Sequence, residues 1–244
     1  IVRVIEENKN RYKVVASGIE ATAELSGKLL FNSDEKAALP AVGDWVAVTL
    51  YDNNEFAVIH EILPRKTLLE RKSVNKKVSG QVIAANIDII FIITALDADF
   101  SLNRIERYYV ISASSGAKPV FLLSKSDLVD ESELSEKVEA VKKIVGDNVH
   151  SYSSETGEGL DSIQKYLGNN VTFCFIGSSG VGKSTLINKL SGYDLLATQE
   201  IRPSDSEGRH TTSRRQMIFL QDGSALIDTP GMREVGLWSD VDDI

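Results

Sequence analysis

Residues 171–190 read VTFCFIGSSGVGKSTLINKL, and this stretch decides the fold. Residues 171–176 have the apolar make-up of a buried strand. They run into Gly177-Ser178-Ser179-Gly180-Val181-Gly182-Lys183-Ser184, a complete G-x-x-x-x-G-K-[ST] phosphate-binding loop, and 185–190 continues as a helix. Glycines in such a loop let successive backbone N–H groups turn inward on phosphates, at a helix start that already favours anions. The predicted phosphate ligands are Ser179, Gly180, Val181, Gly182, Lys183, Ser184 and Thr185. Lys183 reaches the β- and γ-phosphates as a catalytic cation, and the Ser184 hydroxyl is placed for Mg²⁺. The pattern predicts a nucleoside triphosphate site.

Downstream, residues 225–231 (ALIDTPG) form a short apolar strand ending in an acid. An Asp at the end of a strand after the loop is where a P-loop protein holds Mg²⁺, which makes Asp228 a metal candidate. With no Cβ in the way, the Gly231 amide can approach the γ-phosphate. Asp-Thr-Pro-Gly is also good turn chemistry, and only its pairing with the loop favours the nucleotide reading.

Upstream, residues 119–128 (PVFLLSKSDL) carry an apolar strand into Ser124-Lys125-Ser126-Asp127. This looks like the guanine-reading NKxD of GTPases with Ser124 in the Asn position, a hydroxyl in place of a longer amide. A carboxylate at Asp127 accepts both the ring N–H and the exocyclic amine of guanine, whereas adenine offers no such pair of donors. The Lys125 stem is expected over the base plane. Residues 152–160 (YSSETGEGL) resemble the loop that offers a backbone N–H to the guanine oxygen, through Ser153 and Ser154. The plainer reading there is a Ser/Gly turn with a capping side chain. Two such motifs in the right mutual order favour GTP over ATP.

The guanine motifs precede the phosphate loop, reversing the usual GTPase order, so the chain reads as circularly permuted. Permutation is tolerable because all these motifs sit on loops at the carboxyl edge of one parallel sheet. The permuted order, Gly208-Arg209-His210-Thr211-Thr212, DTPGMRE at 228–234 and DFSLNRIERY at 99–108 together resemble the RsgA-type ribosome biogenesis GTPases. The resemblance implies a GTP hydrolase acting in late maturation of the small ribosomal subunit, with that subunit and its rRNA as partners. It implies GTP/GDP and Mg²⁺ as ligands and a cytoplasmic monomer, with no membrane or DNA partner. Members of that family carry a zinc-binding Cys/His module after the GTPase domain. This chain ends at Ile244 with the single cysteine Cys174, so no zinc site is expected in it.

Many GTPases place a Gln after the DTxG motif to position the attacking water; Met232 stands there, and a thioether cannot orient water. His210 is the candidate for that role, with Thr212, rather than Thr211, closing onto Mg²⁺. Two other readings stay open: a nucleotide-gated RNA-binding assembly factor whose hydrolysis is incidental, and a permuted GTPase acting on the large subunit. A P-loop kinase has no required place for the SKSD and DTPG motifs.

Composition is compatible with all of this and says less. The 244 residues suffice for one large or two small domains, and no apolar run approaches a membrane span. One cysteine suits a reducing compartment and reads as core packing. The net charge of −8 argues against a generally basic nucleic-acid binder, although Arg65, Lys66, Arg71, Lys72, Lys76 and Lys77 cluster locally. Residues 1–66 contain five short alternating runs separated by Gly and Asn turns, which predicts a small β-barrel. Patterning leaves OB and SH3-like barrels open, and the resemblance favours an OB-like barrel with RNA or ribosome binding. Residues 67–244 then form an α/β P-loop GTPase domain, with a hairpin predicted around Asp222-Gly223.

Overall fold

The computed structural model describes residues 1–8, 11–32, 39–71, 81–98, 100–192 and 215–228. Period-two alternation builds the first part. Strands β1 (Val2–Asn8), β2 (Arg11–Ala16), β3 (Ile19–Leu25), β4 (Trp45–Tyr51) and β5 (Phe56–Ile62) each turn one face inward. That face carries Val2, Val4, Tyr12, Val14, Ala21, Ala23, Val46, Ala57 and Ile59, all buried in one cluster. The strands follow the order β1-β2-β3-β5-β4, and β4 pairs back onto β1, which closes the barrel and removes its edges. β3 and β5 are parallel. The expected OB-like barrel is therefore present as a closed five-strand barrel. Periodicity did not reveal the six-residue helix α1 (Gly27–Asn32), which is too short for a helical repeat to register.

A hairpin of β6 (Leu68–Arg71) and β7 (Gln81–Ala85) follows, and sequence reading missed it. The run of basic residues masks two very short apolar segments, yet Leu69, Val82, Ala84 and Ala85 are buried.

Strands and helices then alternate as predicted: β8 (Ile89–Ala95), α2 (Leu102–Ser115), β9 (Lys118–Ser124), α3 (Glu131–Val145), β10 (Val149–Tyr152), α4 (Leu160–Gln164), β11 (Thr172–Ile176) and α5 (Lys183–Ser191). The antiparallel hairpin β12 (Arg215–Phe219) and β13 (Ala225–Asp228) turns through Asp222 and Gly223. Gly223 takes φ +81, and any Cβ there would collide with the Asn169 side chain. The sheet order is β10-β9-β8-β11-β13-β12, parallel except for β12. All seven residues of the central strand β8 are buried, and its two faces feed two cores. Ile90 and Ile92 pack with Ile105, Tyr108 and Val141 from α2 and α3. Ile89, Phe91 and Ile93 pack with Ile163, Leu186 and Ile187 from α4 and α5. Cys174 is fully buried in β11, and burial pushes its thiol up to about 12, so it behaves as a packing residue. Among the described residues, no helix is long and apolar enough to cross a membrane.

Barrel and parallel sheet share one continuous sheet, because β1 pairs antiparallel with β12 at Glu6↔Gln216 and Glu7↔Arg215. Side chains reinforce the joint at the other end of β1. Arg3 donates to the Asn86 carbonyl at 3.2 Å, just after β7, and to Thr172 Oγ1 at 2.8 Å, at the start of β11. Burial lowers the pKa of that guanidinium, while Asp88 and Asp44 act the other way. Asn86 Nδ2 donates to the Gly43 carbonyl at 3.0 Å, and Asn86 Oδ1 accepts from Lys66 N at 2.9 Å. Gly43 lies so close to Ala85 O that a Cβ would not fit. Behind it, the fully buried Asp44 carboxylate takes Arg65 Nε at 2.8 Å and Nη2 at 2.7 Å, and also accepts from Ala41 N at 2.8 Å. Replacing Asp44 by Ala removes both charge-assisted bonds of the partly exposed Arg65, which keeps the Leu39 carbonyl at 2.9 Å, and leaves the Ala41 amide without its acceptor. We expect a loss of about 1–3 kcal/mol in urea unfolding, and a midpoint unchanged from wild type would refute this account of the joint.

Candidate functional site

The candidate site lies where the parallel strands end. Strand β11 delivers Gly177 against β8 so closely that a Cβ would collide with Ile93 O, so the first position of the loop must be glycine. Gly180 and Gly182 take φ +76 and +94, and among the described residues nothing lies within 4 Å of where their Cβ atoms would be. Those two glycines answer to backbone conformation, and the space beside them is open. α5 begins directly after Gly182, which has no side chain to cap it, whereas α2 and α3 are capped by Ser101 and Asp130. The amides at the start of α5 thus keep their capacity for an external acceptor. Ser179 and Gly180 are exposed at the loop tip, Val181 is buried, and Ser184 and Thr185 are half-buried on the first turn of α5.

Lys183 Nζ lies along the inner side of the loop, donating to Gly177 O at 2.6 Å and to Ser178 O. Asp228 ends β13, the strand beside β11, and so brings a carboxylate to the same edge. Loop, ammonium, hydroxyl and carboxylate are the groups that a triphosphate and its magnesium require, and among the described residues the space beside Gly180 and Gly182 is open for phosphates.

On the other side of β8, β9 ends at Ser124, which is 2% exposed and donates from Oγ to Val181 O at 2.8 Å. Ser124 therefore ties the β9 turn to the phosphate loop. Lys125 takes a left-handed φ of +62, and its Nζ pairs with Asp97 at 2.7 Å. Asp127 sits in the 3₁₀ turn Ser126–Leu128 with an exposed carboxylate. Ser153 is fully buried, and its hydroxyl accepts from Glu155 N at 3.1 Å and Thr156 N at 3.2 Å. That hydroxyl is spent on shaping its own loop, as a capping side chain would be; Ser154 next to it is half-buried.

His210, Thr211, Thr212, Gly231 and Met232 lie outside the described residues, as do the basic positions 72, 76 and 77. Sequence reading missed two residues at the site. Asp97 partners Lys125, and Arg104 Nη1 donates to Ser178 Oγ at 2.9 Å. Arg104 lay within the 99–108 stretch, but no local pattern reports a contact across 74 positions of chain.

The RsgA GTPase family matches residues 62–238. The chain is 47% identical over 237 residues to small ribosomal subunit biogenesis GTPase RsgA 2 of Lactiplantibacillus plantarum, covering 97% of this chain and 66% of that protein. It thus spans just under two thirds of that relative's length. Its fold is similar to that of YjeQ from Thermotoga maritima, with a TM-score of 0.69 at 24% identity, covering 94% of this chain and 74% of that one. It is also similar to YloQ, a circularly permuted GTPase, with a TM-score of 0.65 at 20% identity over 96% of this chain and 71% of that one. At these identities the two structures speak to the permuted fold alone.

The Ser124 contact yields a direct test. Ser124→Ala leaves the Val181 carbonyl without its donor inside the sheet edge. The expected cost is about 1–3 kcal/mol in chemical denaturation, and no measurable cost would mean that Val181 finds another partner.

Proposed function

The chain belongs to the RsgA GTPase family, and from that premise we propose that it hydrolyses GTP during maturation of the small ribosomal subunit. The observation that carries the reading is one shared edge: the phosphate loop, Lys183, Ser184, Asp228 and the Lys125–Asp127 turn all sit at the carboxyl ends of adjoining strands.

Each group has a role that its chemistry suits. Amides of residues 179–185 cradle the β- and γ-phosphates, and Lys183 exchanges the Gly177 and Ser178 carbonyls for phosphate oxygens. Asp127 reads the two guanine donors, Lys125 lies along the base, and the backbone of Ser153 and Ser154 meets the guanine oxygen. Ser184, Asp228 and Thr212 are the groups to hold Mg²⁺, which when bound neutralises charge on the phosphates. Gly231 contacts the γ-phosphate through its amide, and His210 orients the attacking water in place of the Gln that Met232 replaces. Residues 1–66 serve as the barrel module for rRNA and residues 67–244 as the GTPase domain of a cytoplasmic monomer.

Two measurements test this. Asp127→Asn replaces one acceptor by an amide donor, matched to xanthine, which carries a carbonyl where guanine carries its amine. The variant should lose at least about 1–3 kcal/mol of GTP affinity and gain affinity for xanthosine triphosphate. Retained GTP preference would remove Asp127 from base reading. The second measurement is GTP turnover with small subunits, with large subunits and with ATP. Intrinsic turnover on the order of 10⁻⁴–10⁻² s⁻¹, rising roughly tenfold or more with small subunits alone, is expected of a site completed by its partner. Equal rates under all conditions would favour an RNA-binding factor with incidental hydrolysis.

A further inference from the structure

We propose that Arg104 is a positioning residue for the phosphate loop, acting through the Ser178 hydroxyl; the proposal rests on the guanine-nucleotide reading above. The contact spans two rigid parts of the fold. Ser101 Oγ accepts from Arg104 N at 3.4 Å, which caps the first turn of α2 around Arg104 itself. One residue on, Ile105 is fully buried, and Tyr108 is buried a turn later, so the helix is seated firmly on the face of β8 and β9. From this seat Arg104 Nη1 reaches Ser178 Oγ at 2.9 Å, half-shielded from water.

Ser178 is where such a hold has most effect. Its neighbour Gly177 is pressed against Ile93 O, and its own carbonyl accepts from Lys183 Nζ. Immediately beyond come Ser179 and Gly180, both exposed, and among the described residues nothing lies within 4 Å of where a Gly180 Cβ would be. The exposed tip at 179–180 is therefore held on one side by residue 178 and on the other by Val181, whose carbonyl accepts from Ser124. A guanidinium is a planar, permanently charged donor, and its grip on the hydroxyl narrows the range of loop conformations before a ligand arrives. Such pre-organisation acts on the cradle as a whole, so it favours diphosphate and triphosphate alike. An arginine that instead touched the γ-phosphate would favour the triphosphate alone.

The experiment is a double-mutant cycle in the full-length protein with Arg104→Ala, Ser178→Ala and both together, with Arg104→Lys as the conservative variant. The probes are fluorescent GDP and a fluorescent non-hydrolysable GTP analogue, with dissociation rates read by stopped flow and unfolding midpoints recorded alongside. Each single alanine variant should weaken both nucleotides by about tenfold, chiefly through faster release, with the double variant no weaker than either single one. Arg104→Lys should fall between wild type and Arg104→Ala, because the charge persists without the fork. Wild-type affinity in both single variants, additive losses, or loss confined to the GTP analogue would each overturn the proposal. Failure of the wild-type protein to bind either probe would instead refute the guanine-nucleotide reading, and this inference with it.

Discussion

A phosphate loop has to point consecutive amides at one spot, and neither helix nor sheet hydrogen bonds hold it in that shape. Here the shape is imposed from outside at three places. Gly177 abuts Ile93 O of β8, Ser178 is held by Arg104 of α2, and the Val181 carbonyl accepts from Ser124 at the end of β9. Much of the site follows from this. Glycine is required where backbone meets backbone, a hydroxyl suffices at position 124, and a charged fork reaches in from the helix between β8 and β9.

All three holds come from elements earlier in the chain than the loop they hold. This gives a physical reason why permutation is harmless. The loop depends on what lies beside β11 in the sheet, and β8 lies beside it whichever end of the chain is made first. The same neighbourhood links the turn proposed to read the base with the phosphate loop, since Ser124 opens the turn that carries Lys125 and Asp127 and also touches Val181. Lys125 is fixed in turn by its left-handed backbone and by Asp97.

The barrel is joined to this machinery through polar contacts of a kind that sequence patterning does not register. Asn86 takes a positive φ and uses its backbone carbonyl and both side-chain groups to connect Arg3, Gly43 and Lys66. Asp44 and Arg65 complete the joint, a fully buried carboxylate held by a partly exposed guanidinium. β1 belongs to both parts, closing the barrel with β4 and extending the parallel sheet through β12. The two parts are thus joined through paired backbone as well as through these side chains.

By itself the sequence determined the phosphate loop, the alternation of strands and helices, the five barrel strands and the permuted order of motifs. These are encoded locally, in runs of apolar residues with period two or 3.6 and in the turn chemistry between them. It did not determine the β6–β7 hairpin, where basic side chains conceal short apolar segments, or α1, which has fewer than two turns. Nor did it determine the closure of β4 onto β1, the junction of β1 with β12, the Lys125–Asp97 pair or the reach of Arg104 to Ser178. Those were decided by tertiary structure, because each joins residues distant in the chain whose meeting depends on how whole elements pack, and no local pattern carries that information.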